Sequence, residues 1–257
     1  MSMYIEQIME IAAQSGSLVL ENGGETYRAE ETCVRIARAM GASHASAFVT
    51  PTLVMVSVEG QDHRSHTTMR RITSRTVNLR KIALLNDLSR RLVQRGGDLD
   101  PAQVSRLLER IESSPGHGIW SMMLMGGFTG FFFALMFGCS LAQAVCAFAI
   151  GFLLRAVLLW IGRFNLNSFI MSAISGSLIS VLCELIYVLG LVPQSVEMLA
   201  AVLMQVVPGL ALVNAIRDLM AGDLMAGTAR LVDAFMVATG LSAGSVLGLL
   251  VFAHVLV

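Results

Sequence analysis

The chain has 257 residues, 55% hydrophobic and 14% charged, with a formal net charge of zero. It is too apolar for an ordinary soluble domain, and without a positive excess it offers no field for nucleic acid. Of its 36 Asp, Glu, Lys and Arg residues, 27 fall within positions 1–117, which divides the chain into a head at 1–116 and a membrane body at 117–257.

The head opens with MSMYIEQIMEIAAQ, which lacks a basic segment followed by an apolar core and so does not read as a signal peptide. Apolar residues at Ile5, Ile8, Met9, Ala12 and Ala13 predict a helix that fades at a Gly/Asn punctuation. GGETYRAEETCVRIARAMG predicts a second helix, favoured at its start by Glu30 and Glu31 and stopped by Gly41, although Thr26 lacks the acid of a strict capping box. In AFVTPTLVMVSVEG, β-branched residues alternate in part, and Pro51 marks an edge or a break between two short strands; HRSHTTMRRITSR continues extended. LRKIALLNDLSRRLVQRG and DPAQVSRLLERIESSPG predict two more helices, the second with Asp100 at its cap and Pro101 at its first position. The head is expected to be a cytoplasmic α+β domain bounded by SSPG.

Within it, Glu25, Arg28, Glu30 and Glu31 form a polar cluster. It reads as surface ion pairs, or as a contact with a solute or with the mouth of the membrane body. His63 and His66 are two potential ligands without a third, so no metal is expected. There is no Gly-rich loop with Lys-Ser/Thr, no GxSxG and no HExxH, so neither a cofactor nor an enzyme activity is expected. Cys33, Cys139, Cys146 and Cys183 show no pairing or finger spacing.

The body reads as an α-helical integral membrane bundle of five transmembrane helices, at about 119–137, 141–162, 168–190, from 194 through MQVVPGLALVNAIRDLMAGD, and 231–254. The turns at Gly138-Cys139 and near Pro193 carry no Lys or Arg, whereas those with Arg163 and with Arg217 to Arg230 are basic. The positive-inside rule then puts the N-terminus in the cytoplasm, and an odd span count puts the C-terminus in the periplasm. GGFTG, AISGS and GLSAGSVLG supply small residues for close helix approach. Arg155, deep in FLLRAVLLW, and Glu184, in VLCELIY, are costly charges that mark a bundle interior, a wet cavity or an interface. Pro208-Gly209 predicts a broken helix of the kind that lines a solute path, with Asn214, Arg217 and Asp218 following at its inner end.

VPGLALVNAIRDLMAGDLMAGTARLVDAF, at 207–235, resembles the signature segment of the threonine/serine exporter family, and ETYRAEETCVRIARAMG with AFVTPTLVMVSV resembles the start of its cytoplasmic domain. The matching positions are Glu25, Arg28, Glu30 and Glu31 in the head, and Pro208, Gly209, Asn214, Arg217, Asp218, Gly222, Asp223, Gly227 and Arg230 in the body. With five spans expected, the chain is similar to the YjjP-like larger subunit of the split form. That likeness implies a bacterial inner-membrane exporter of C4-dicarboxylates such as succinate, working with a small four-helix YjjB-like membrane subunit and compatible with a higher oligomer. The family name implies threonine or serine instead. Arg155, Arg163, Arg217 and Arg230, the only basic residues of the body other than its two histidines, suit carboxylates; Asp218 and Asp223 could pair with them or carry protons. Rival readings are a structural subunit that transports nothing and an enzyme tethered to lipid.

Overall fold

The computed structural model describes residues 2–59, 64–95, 100–164 and 166–256. His63 lies outside the described residues, and His66 sits on a strand. The chain forms two compact units, the first made of Met1–Gly116 with Leu210–Leu231 and the second of His117–Gly209 with Val232–Val257.

The first unit begins with α1 (Ser2–Glu21) and α2 (Thr26–Ala39), followed by β1 (His44–Thr50), β2 (Leu53–Glu59) and β3 (Ser65–Arg71), and then α3 (Leu79–Arg95) and α4 (Pro101–Glu112). The strands form one antiparallel sheet in the order β1-β2-β3. Thr50 pairs with Leu53, so Pro51 lies in the tight turn between β1 and β2, where its missing N–H costs the ladder nothing. Val54, Val56 and Val58 alternate inward from β2 to meet Ile8, Leu18, Cys33, Ile36, Leu85 and Leu108 in one core. Helices α1 and α2 approach so closely that a Cβ on Gly16 would lie 2.3 Å from Cys33 Sγ. Burial there pushes the Cys33 thiol up to about 12, leaving it without thiolate reactivity. Asp100 caps α4 by accepting from Ala102 N at 3.0 Å, with Pro101 at the first helical position.

The second unit holds α5 (Ile119–Met136), α6 (Leu141–Ile161) with a 3₁₀ turn (Gly162–Phe164), α7 (Ser168–Val188), α8 (Val196–Leu203) and most of α10 (Leu224–Leu256). A capping box starts α6, Gln143 N donating to Ser140 Oγ while Ser140 N donates to Gln143 Oε1. Helices α5 and α6 run antiparallel, and Cβ atoms added at Gly126 and Gly130 would meet the backbone of Gly151 and Ala147. The contact of α7 with α10 runs the other way: Ser172 faces Gly240, Ala173 faces Gly244 and Ser177 faces Gly248, so these two helices are parallel. Trp120 at the start of α5 and Trp160 near the end of α6 are both exposed, as interfacial aromatics are.

The expected five-span bundle is not what forms. Among the described residues, four helices are long and apolar enough to cross a membrane: Ile119–Met136, Leu141–Phe164, Ser168–Val188 and Leu224–His254. The predicted fourth span is divided into α8, with 8 residues, and α9 (Gly209–Met220), with 12, separated by turns at 204–208. Each is short of the roughly 20 residues a span needs. The misreading has a physical cause in α9, whose polar residues Asn214 and Asp218 are buried in the first unit while Leu212, Val213 and Ile216 are exposed. Its apolar face supplied the hydropathy of a span, and its polar face belongs to the head. The last helix also starts earlier than expected, at Leu224, because Gly222 adopts φ +93° and turns the chain sharply after α9.

Candidate functional site

In the first unit the matching positions at 214–230 converge on one short stretch of backbone, the α1–α2 connection at 22–26. Glu25 is the N-cap residue of α2 but makes no side-chain cap. Asp218 of α9 does that work from a distance, accepting from Thr26 N at 3.2 Å and from Thr26 Oγ1 at 3.0 Å. A carboxylate at a helix N-terminus is favoured by both the free amides and the helix dipole. Asp218 is fully buried, and its charge is balanced by Arg230, whose Nε lies 3.0 Å from Asp218 Oδ2. Arg230 also donates to Gly24 O at 2.9 Å, and Asn214 Nδ2 donates to Gly23 O at 3.0 Å. Arg217 closes the arrangement by donating to Glu25 Oε1 at 2.6 Å, and Arg28 lies 3.3 Å from the other oxygen of Glu25.

Glu25 feels opposing influences. Burial tends to raise its carboxyl, but a backbone amide, the Arg217 hydrogen bond and the charges of Arg28 and Arg217 outweigh burial and hold it below the usual carboxylate value. Glu30 behaves in the opposite sense. Burial pushes it up, the Val49 amide at 2.9 Å offsets this in part, and the nearby acids Asp223 and Asp218 push the same way as burial. Glu31 pairs with Arg35 on the surface and stays out of the cluster. Gly222 and Asp223 form the turn after α9. Gly227 is needed because a Cβ there would lie 2.5 Å from Leu219 Cγ. The sequence flags nearly all of these side chains, but Thr26 reads there only as a weak cap, and no local pattern reveals that its partner is 192 positions away.

In the second unit Arg155 stands apart. It is half-buried on α6, one turn beyond Gly151, and makes no hydrogen bond or ion pair among the described residues. Gln205, in the turns after α8, donates through Nε2 to Gly151 O at 3.0 Å. A Cβ on Gly126 would lie 2.9 Å from Gln205 Nε2 and 3.0 Å from Arg155 Cβ, so α5, α6 and the segment before Pro208 meet at this point. The helix break at Pro208-Gly209 therefore follows directly on a polar junction. Gln205 was missed by sequence reasoning; a lone amide in an apolar run three residues before Pro-Gly was the available signal. Glu184 lies near the end of α7 and accepts from Ser195 Oγ at 3.0 Å, well separated in sequence from the Arg155 junction. Gln143 donates to Gln194 O at 3.1 Å and ties the α5–α6 turn to the start of α8.

No solved structure matches this chain. Over 249 residues it is 21% identical to a threonine/serine exporter of Corynebacterium glutamicum, covering 94% of this chain and 50% of that protein. The chain thus spans about half the length of the curated relative it matches. Residues 10–252 match the threonine/serine exporter family, and so the chain, with its multi-pass membrane unit and α+β head, belongs to that family of small-molecule transporters.

Proposed function

We propose that this chain is a subunit of an inner-membrane exporter of small zwitterionic amino acids, threonine and serine foremost. The observation that carries the reading is the disposition of the arginines. Four were available to bind carboxylates, but Arg217 is taken by Glu25 and Arg230 by Asp218, while Arg163 lies in the turn at the end of α6. Among the described residues, Arg155 is the arginine that stands within a span without a protein partner. A dicarboxylate calls for two cationic partners, whereas an amino acid carries one carboxylate and one ammonium and needs a single cation with an acceptor beside it. The name of the curated relative supports the same substrate class.

Succinate and related C4-dicarboxylates form the second reading, from the likeness to the split form of the family. A small four-helix membrane subunit is proposed as partner from the same likeness to the split form. The head is proposed to face the cytoplasm, from the basic residues Arg163, Arg217 and Arg230 between the apolar segments. The parallel run of α7 and α10 supports a periplasmic C-terminus, replacing the discarded odd span count. The deciding experiment loads vesicles with labelled threonine or succinate and compares this chain alone, the partner alone and both together. Threonine efflux that requires both chains supports the proposal. Efflux of succinate alone favours the second reading, and an unchanged rate when this chain is omitted assigns it a structural role.

A further inference from the structure

We infer that Arg155 and Gln205 form a two-point amino-acid site in the membrane unit, Arg155 holding the carboxylate and Gln205 Oε1 accepting from the ammonium. The inference rests on the exporter reading above and adds the residues that would discriminate among solutes.

Each half of the pair lacks a partner, and the deficits are complementary. Gln205 has committed its amide nitrogen to Gly151 O, which fixes the orientation of the side chain. Its Oε1 is buried and accepts no hydrogen bond from the described residues. An orphaned amide oxygen in an apolar surrounding is costly, and an ammonium group is the strongest donor that could satisfy it. Arg155 is a cation in an apolar span with no carboxylate paired to it among the described residues, and a planar guanidinium takes a carboxylate through two parallel hydrogen bonds. The two residues are brought within reach of one another because both border Gly126, where any side chain would collide with Gln205 Nε2, Arg155 Cβ and Gly151 O. Glycine at 126 thus lets α5, α6 and the turns at 204–208 converge closely. A solute joining a donor fork to an acceptor over a short distance must carry both charges close together, as an α-amino acid does. Those turns lie just before Pro208, which cannot extend the α8 hydrogen-bond ladder, and Gln205 is therefore carried on backbone that a continuous helix would hold rigidly.

The test measures competition against labelled threonine export from vesicles containing this chain and its partner, using unlabelled threonine, N-acetylthreonine, threoninol and succinate. In the wild type, N-acetylthreonine and threoninol should each compete at least about tenfold more weakly than threonine, since each forfeits one charge-assisted contact. Gln205→Met preserves the shape and removes the acceptor; it should weaken threonine by about tenfold and largely erase the preference for threonine over N-acetylthreonine. Arg155→Gln should weaken threonine and N-acetylthreonine together and leave threoninol unaffected, with Arg155→Lys recovering part of the loss. All values are taken per folded molecule, and the analogue series on the wild type does not depend on a variant folding. Wild-type export with an unaltered threonine to N-acetylthreonine ratio in Gln205→Met overturns the site while the exporter reading stands. If the wild type exports no threonine, the exporter reading fails and the amino-acid site fails with it.

Discussion

Both units place arginine among apolar residues, and they treat it differently. In the first, Arg230 is only 8% exposed, yet it is held by Asp218, Gly24 O and the α2 N-terminus, so that the buried Asp218 and Arg230 balance one another within the protein. In the second, Arg155 sits on a membrane helix whose neighbours are glycines and an amide with an unmet acceptor. A charge satisfied by its own chain is architecture, because breaking it leaves a buried ion without compensation. A charge left unsatisfied is available to something that arrives from solution. The contrast separates residues that the sequence alone groups together as one polar path.

The contrast should break most severely at Asp218. Asp218→Ala strands Arg230 and removes the cap from α2, and we expect a loss of about 3–5 kcal/mol, read as a large fall in the thermal midpoint of the purified chain or failure to accumulate. Asp218→Asn with Arg230→Met should recover much of that loss, since no buried charge is then left alone. In the second unit packing takes the place of charge. A Cβ on Gly244 would lie 1.9 Å from Ala173 O, so Gly244→Leu should separate the parallel α7–α10 pair at a cost of about 1–3 kcal/mol, measured by unfolding in detergent. Thr26→Val removes one hydrogen bond to a buried carboxylate while keeping the backbone contact, and should cost about 1.5–3 kcal/mol at most.

The smallest effect belongs to the exposed edge of the same cluster. The Arg217 side chain is 55% exposed, so Arg217→Gln should change stability by less than about 1 kcal/mol, less still in high salt. It should be visible as a pH dependence instead. The Glu25 carboxyl is held below its ordinary value of 4.5, so its contribution is present above that value and is lost as pH falls through the depressed one. Glu30, raised above 4.5, works in the reverse sense: its contribution is full below 4.5 and is lost as pH rises through the raised value. Glu25→Gln should therefore flatten the acid limb of a stability profile, and Glu30→Gln should raise the plateau at neutral pH.

Much of the head was legible locally. The α1 stripe, the valine alternation of β2, Pro51 between two strands and the Asp100-Pro101 start of α4 are all set by neighbours in the sequence. The membrane helices α5, α6 and α7 were equally plain, being long apolar runs closed by Gly138, Gly162 and Gly190. The failure came at 204–223, where an apolar run is the outer face of a helix whose inner face packs within the first unit. Hydropathy averages both faces, and only tertiary contacts reveal that Asn214 and Asp218 have a destination. The Arg155–Gln205 junction was half legible: a charge in a span announces itself, but an amide that meets it from another element does not.

The division between partnered and unpartnered arginine is tested most directly by threonine export per folded molecule in Arg217→Gln and Arg155→Gln, measured side by side in vesicles with the partner subunit. The expected result is a rate and half-saturation for Arg217→Gln within about twofold of wild type and a half-saturation for Arg155→Gln raised about tenfold or more. Loss of export in Arg217→Gln with wild-type behaviour in Arg155→Gln would contradict the assignment and return the solute to the α9 cluster.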